Sequence, residues 1–288
     1  MPTFTPKREY DLSLHGTRLA VAEWGPTDAM PLLFMHGWLD NAGSFASLAP
    51  LLAGDYRCIA LDMPGHGLSE HLPGTVNYQF LDGVQTLFEA CEALRLAPVN
   101  LVGHSMGGAL AMLYAGAFPD KVRRLVSIEA FGPLTRNADD TASSFAYAVM
   151  EHVRRRESKK NVFPDIDTAL KARASVDKLP AELWRPIVER NLEQVEGGFR
   201  WRSDARLRLP SLLRMTHEQA GSFFEAVTAP VLLLKANRGL PLVAEALAIH
   251  GPQMATLEVH ELDGGHHIHL EQPETIARFI RGFVPLDD

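Results

Sequence analysis

The sequence predicts an α/β protein: a mostly parallel, eight-stranded sheet with helices on both faces and an inserted helical segment. Three observations predict it. Short apolar runs alternate with longer stretches of helical periodicity. Most of those runs are continuously apolar, as strands covered on both faces must be. The alternation stops at Gly132 and restarts at Ala229, which is how an insertion into one sheet reads.

The elements follow in order. Residues 10–14 and 18–24 read as a hairpin joined by His15-Gly16-Thr17. Residues 31–35 form a short apolar strand ending at His36-Gly37, and 45–52 a helix. Residues 56–61 are a further strand, which runs into Asp62-Met63-Pro64-Gly65-His66-Gly67. Helical spacing of apolar residues covers 81–96. A strand at 99–102, a helix at 109–118 and a strand at 124–128 come next. From 132 to about 224 the chain is charge-rich with helical patterning and no evident strand. Ala229-Pro230-Val231-Leu232-Leu233-Leu234 restarts the strand pattern. It is followed by a helix at 241–250, a strand at 256–262 and a closing amphipathic helix at 274–283.

Composition narrows the function. With 288 residues, 46% hydrophobic and 22% charged, the chain can bury a sizeable core as one domain carrying an insertion. A net charge of −7 argues against nucleic acid as a main partner. No apolar run approaches the ~18 residues of a membrane span, and residues 1–9 carry no apolar core of signal-peptide type. Cys58 and Cys91 lack metal or redox spacing and sit in apolar segments, so reduced core cysteines of a cytoplasmic protein are expected. Arg154-Arg155-Arg156 reads as exposed helix charge in preference to an anion site.

The chemistry concentrates in Leu101-Val102-Gly103-His104-Ser105-Met106-Gly107-Gly108. An apolar strand enters Gly-x-Ser-x-Gly and a helix leaves it, the order a nucleophile elbow requires. Glycines at 103 and 107 fit a turn where strand and helix pass close together. The alternative, a glycine-rich loop with an inert serine, does not account for that placement.

Four pieces resemble the α/β-hydrolases, in that family's order: His36-Gly37-Trp38, Asp62-Met63-Pro64-Gly65-His66-Gly67, Gly103-His104-Ser105-Met106-Gly107-Gly108, and Gly265-His266-His267-Ile268-His269-Leu270-Glu271-Gln272-Pro273. His36-Gly37-Trp38-Leu39-Asp40-Asn41 and the segment from Trp201 to Pro210 are similar to the serine hydrolase-like proteins. The resemblance implies an α/β-hydrolase fold, with residues 1–131 and 226–288 as the two parts of the core and 132–225 as a helical cap.

A serine hydroxyl needs a base to remove its proton during attack. Among 12 histidines, His266 lies on a loop after the last strand, at the carboxyl edge of the sheet. The family's Gly-His spacing also falls on it; His267 and His269 are its rivals. Most relatives carry the triad acid after the strand at 231–234, but no carboxylate lies between Leu234 and Glu245, and the position holds Gly239. Some relatives, haloalkane dehalogenases among them, place it at the end of the preceding strand, where this chain has Glu129. A charge ending an apolar strand requires a partner, either His266 or a cap arginine such as Arg136. The resemblance puts the two oxyanion-hole amides on Trp38 and Met106.

Serine at 105, where aspartyl relatives form alkyl-enzyme esters, points to an acyl-enzyme. The reading is therefore a serine carboxylesterase for small to medium acyl esters, using Ser105, His266 and Glu129. Carbon–carbon bond hydrolysis, cofactor-free perhydrolysis and ligand binding on a hydrolase scaffold are the alternatives. The expected partner is a small-molecule ester, without membrane insertion. Neither Gly-x-Gly-x-x-Gly nor a metal-ligand pattern occurs, so neither cofactor nor metal is expected.

Overall fold

Eight strands of the computed structural model form one sheet in the order β1-β2-β4-β3-β5-β6-β10-β11. The structure describes residues 5–155, 161–177 and 179–286. The strands are β1 (Arg8–Leu14), β2 (Thr17–Trp24), β3 (Met30–Met35), β4 (Tyr56–Leu61), β5 (Val99–His104), β6 (Val122–Ile128), β10 (Val231–Ala236) and β11 (Leu257–Leu262). β1 and β2 pair antiparallel, as do β2 and β4; every later pairing is parallel. β1 alternates between half-buried and exposed positions and β5 is buried throughout, which is why one reads as alternating and the other as continuously apolar.

The two-residue period of the strands sorts the core into two layers. Leu33, Met35, Leu101, Leu125 and Leu233 face one side, against Leu87 and Cys91 of helix Asp82–Leu94 and Leu110 of helix Met106–Ala117. Leu32, Phe34, Val102, Val126 and Leu232 face the other, against Phe45, Leu48 and Leu52 and the buried stripe Ile276, Ala277, Ile280 of helix Pro273–Phe283. That stripe recurs at i, i+1 and i+4, so the helix is strongly amphipathic and closes the lower face.

The segment between β6 and β10 departs from the expected all-helical pattern. It holds helices Thr141–Arg154, Ile166–Asp177 and Ala181–Arg190. It also holds a three-stranded antiparallel sheet of β7 (Val162–Phe163), β9 (Gly198–Trp201) and β8 (Leu192–Val195). These strands are too short to show a two-residue period. The two-residue turn Glu196-Gly197, with Gly197 at φ 85°, joins β8 and β9 and is the local signal of their hairpin. Trp184, Ile187, Val188 and Leu170 form this segment's own core, with the Arg173 guanidinium 3.6 Å from the centre of the Trp184 ring. Helix His217–Ala226 falls inside the inserted stretch by sequence, yet it packs Ala220 and Phe224 into the main core.

Charged groups fasten the inserted segment to the sheet. Arg190 is buried and donates through Nε to Asp62 at 2.9 Å, and through Nη1 to Glu9. Arg173 reaches Asp40 at 3.3 Å. The Asn41 amide donates to the carbonyl of Ile187, the Trp38 indole to that of Leu207, and Arg206 to those of Leu72, Pro73 and Val76. Ion pairs of this kind contribute little when exposed, whereas removing one partner of a buried pair is costly because it strands the other. Among the described residues no helix is long and apolar enough to cross a membrane.

Candidate active site

Ser105 sits between β5 and helix Met106–Ala117 with φ 51° and ψ −117°. A left-handed φ is uncommon for a residue with a side chain and is held here by the surrounding contacts. The Ser105 N–H donates to Ile128 O at 3.0 Å, and its carbonyl accepts from Ala109 N, so the turn is tied to β6 and to the helix. A Cβ at Gly103 would lie 2.5 Å from Gly108 Cα, and one at Gly107 would run into the backbone of Met35. Both glycines are therefore required by close approach, as the sequence pattern implies.

His266 follows β11. Its Nε2 is 2.9 Å from Ser105 Oγ, and its Nδ1 is 3.3 Å from Glu129 Oε2. The second distance is longer than the 2.7–3.0 Å range typical of charge-assisted bonds; such contacts commonly tighten when substrate is bound. Glu129 directly follows β6, with φ 49°, and is almost wholly buried. Its carboxylate accepts from two backbone amides, Ala236 N–H at 2.6 Å and Leu240 N–H at 3.1 Å. Ser127 Oγ donates to Ala130 O at 2.6 Å and so closes the turn that presents Glu129. That hydroxyl was legible only as a lone polar residue in an apolar strand.

The alternative partners are engaged elsewhere. Arg136 donates to Ser144 Oγ, and Asp263 bonds Arg238 and Asn237 at the surface. His267 Nε2 lies 3.1 Å from Asp40, and His269 Nε2 lies 2.8 Å from Ser44 Oγ. His104 turns away from Ser105 and places Nε2 2.9 Å from the His266 carbonyl. Burial first, then the neighbouring His269, His267 and His266, hold the His104 imidazole well below its usual pKa. It is neutral near pH 7, so Nε2 carries the proton that this carbonyl accepts. Asp40 would be raised by burial, but His267 and Arg173 hold it well below the carboxylate range. Asp40, His104 and His267 do bring three metal-ligand atoms within 4.8 Å of one another. The bonds from Asp40 to His267 and Arg173 already balance that carboxylate, so the cluster reads as a hydrogen-bond network.

Trp38 and Met106 both line the cavity that Ser105 lines. Met35 of β3 pairs with Gly103 of β5, so the residues after each strand run side by side. Met106 opens its helix, where the first N–H groups have no intrahelical acceptor. Trp38 precedes Leu39, whose φ of 63° turns the loop.

The description "alpha/beta hydrolase fold" belongs to a family model that matches residues 30–273. A serine hydrolase-like protein of Danio rerio is 30% identical over 273 residues, covering 91% of this chain and 83% of that protein. The chain belongs to the alpha/beta hydrolase fold family. Among solved structures it is similar to hypothetical protein PA1622 of Pseudomonas aeruginosa PAO1, at 37% identity and a TM-score of 0.89, covering 96% and 98% of the two chains. It is also similar to the thioesterase domain from the curacin biosynthetic pathway, at 26% identity and a TM-score of 0.81, covering 95% and 98%.

In this hydrolase-fold chain Ser105 opens on a cavity of about 740 Å³. Its walls are largely apolar and include Phe80, Leu110, Phe131, Leu207, Leu209 and Leu213. Of the exposed side chains Phe145, Tyr147 and Met150 on helix Thr141–Arg154, Tyr147 lines it and the other two do not. Phe163 and Trp184 belong to the insertion's own core. Helical periodicity gives the face of a residue but not what the helix packs against. Arg154 and Arg155 bond Glu151 at 2.8 and 2.7 Å, as solvated helix charges do; Arg156 lies outside the described residues.

Proposed function

We propose that the protein is a serine hydrolase that cleaves carboxylic esters or thioesters through an acyl-enzyme on Ser105. The observation that carries this is the line from Glu129 through His266 to Ser105 Oγ at the mouth of an apolar cavity. In this reading His266 Nε2 takes the hydroxyl proton as Oγ attacks the carbonyl, while Glu129 holds Nδ1–H and stabilises the imidazolium. The oxyanion accepts from the Trp38 and Met106 amides. His266 then returns the proton to the leaving group, and water repeats the sequence to release the acid. The apolar walls favour small to medium acyl chains, and residues 132–225 act as the cap that excludes water. The thioesterase likeness supports thioesters beside oxygen esters as substrates. Buried, unpaired Cys58 and Cys91 fit a reducing, cytoplasmic setting.

The test is covalent labelling by a fluorophosphonate, repeated with Ser105→Ala, together with hydrolysis of p-nitrophenyl esters of rising chain length. Labelling confined to the wild type, with turnover across part of the ester series, is the expected result. Absence of both would leave ligand binding as the better reading.

A further inference from the structure

Beside the cavity at Ser105 lies a smaller recess of about 160 Å³. Tyr147, Pro210, Ser211, Leu213 and Arg214 line both spaces, so the two are adjacent. The recess differs in chemistry from the cavity. It gathers two guanidinium groups, Arg136 and Arg214, with the hydroxyl-bearing Thr141, Ser144, Tyr147 and Ser211. None of the described residues that line it carries a carboxylate.

The two arginines are held together by the backbone. Arg136 N–H donates to Met215 O at 2.9 Å, which pins the loop after β6 against the loop before helix His217–Ala226. Arg136 donates to Ser144 Oγ, itself fixed by a 2.6 Å bond to Asp140 O. Among the described residues neither arginine forms an ion pair. Other arginines of the insertion are matched: Arg190 with Asp62, Arg206 with Asp204, and Arg154 and Arg155 with Glu151. The carboxylates closest in sequence to either arginine, Asp139, Asp140 and Glu218, are on exposed residues. Partial burial, then the positive charge of Arg136, depresses the Arg214 pKa. Two like charges lining one recess repel, and an anion between them removes that cost while accepting charge-assisted hydrogen bonds from both forks.

We propose that this recess is an anion-binding subsite, and that the ester or thioester processed at Ser105 carries a carboxylate or phosphate group that Arg136 and Arg214 hold. The substrate part of this rests on the serine-hydrolase reading; the binding part does not. The apolar cavity between the recess and Ser105 would take the carbon chain that separates the anion from the scissile carbonyl.

Matched pairs test it on the full chain. p-Nitrophenyl hemiesters from glutarate to sebacate, against neutral p-nitrophenyl esters of equal length, put a carboxylate on the acyl side. Octanoyl-coenzyme A against octanoyl-N-acetylcysteamine puts phosphates on the leaving group. In at least one pair the anionic member should have kcat/KM higher by about tenfold or more, a preference weakened by added salt. Arg214→Gln and Arg136→Gln should bring the anionic-to-neutral ratio down towards one, and Arg214→Lys should restore it only in part. A wild-type ratio of one or less in both pairs, or a preference that survives in the Arg136→Gln/Arg214→Gln protein, overturns the subsite. Calorimetric titration of suberate and of coenzyme A into Ser105→Ala reads binding without turnover. Neutral esters hydrolysed with no anion bound would sink the subsite alone. An anion bound through Arg214, with Ser105 unlabelled by fluorophosphonate, would sink the hydrolase reading alone.

Discussion

The carboxylate of Glu129 fills the space that a side chain on Gly239 would need. A Cβ at position 239 would overlap Oε1, Oε2 and Cδ of that carboxylate. An acid at the end of β6 and an acid on the loop after β10 therefore exclude one another. Gly239 is the counterpart of Glu129, and the amide of Leu240, next to it, is one of the donors that hold the carboxylate.

Glu129→Gln should lower turnover by roughly 10²- to 10⁴-fold while the fold persists, because a neutral amide stabilises neither the imidazolium nor its tautomer. Gly239→Asp in the wild type should also be damaging, since it displaces Glu129. Glutamine keeps the volume of glutamate, so Gly239→Asp cannot compensate Glu129→Gln. Glu129→Gly frees the space and suits the left-handed φ of 49° at that position. The double change Glu129→Gly/Gly239→Asp should recover part of the rate lost in Glu129→Gly, as measured by kcat/KM on a p-nitrophenyl ester. A double variant no faster than Glu129→Gly would count against the acid role of this corner.

Ser105→Ala and His266→Ala should each remove about 10³-fold or more of esterase turnover, with little further loss when combined, because they act as a unit. His267→Ala removes a partner of buried Asp40 and should lower the melting temperature. Its folded fraction should still label with fluorophosphonate. Full loss of labelling in folded His267→Ala, with labelling kept in His266→Ala, would move the base to the neighbouring histidine.

The sheet and the elbow were legible because both are local. Continuous apolar runs mark buried strands, and Gly103 and Gly107 mark a turn whose backbone leaves no room for a Cβ. The place of Glu129 was legible through a conflict, a charge closing the run Leu125-Val126-Ser127-Ile128. What the sequence hid depends on tertiary contact. Arg190 looks like any helix charge until Asp62, distant in sequence, is seen opposite it. The strands at 162–163, 192–195 and 198–201 are too brief for a pattern. Arg136 and Arg214 stand far apart in the chain and meet only where the backbone bond from Arg136 to Met215 aligns their loops.

Breaking the Arg190–Asp62 pair from one side should be strongly destabilising. Asp62 is fully buried, accepts from Ala42 N–H at 2.7 Å and Leu68 N–H at 2.8 Å, and takes both of its oxygens to Arg190 Nε. Arg190→Met leaves that carboxylate without its cation in the interior and should cost about 3–5 kcal/mol. Arg190→Met/Asp62→Asn should be less damaging than Arg190→Met alone, since it removes the stranded charge. Urea denaturation of the three proteins measures the difference. A single variant as stable as wild type would show that the pair is dispensable.

Acid should unfold the protein from the histidine range downward. Burial lowers the pKa of His36, takes His66 down to about 3, and holds His104 and His269 well below their usual value. The unfolded chain binds a proton at each near pH ~6.5, whereas the folded chain resists doing so. The stability these groups supply is therefore complete above ~6.5 and is lost as pH falls towards their folded values, by about 1.4 kcal/mol per pH unit for each proton taken up only on unfolding. Asp40, held low in the fold, adds its own loss only below ~4. Free energies of unfolding from urea titrations at intervals between pH 8 and pH 4.5 should be level at the upper end. They should then fall increasingly steeply as these imidazoles take up protons only on unfolding. His269→Gln, which keeps a polar group near Ser44 but cannot be protonated, should reduce that slope by one proton. A slope below one proton across this window would mean that these imidazoles are charged in the folded protein.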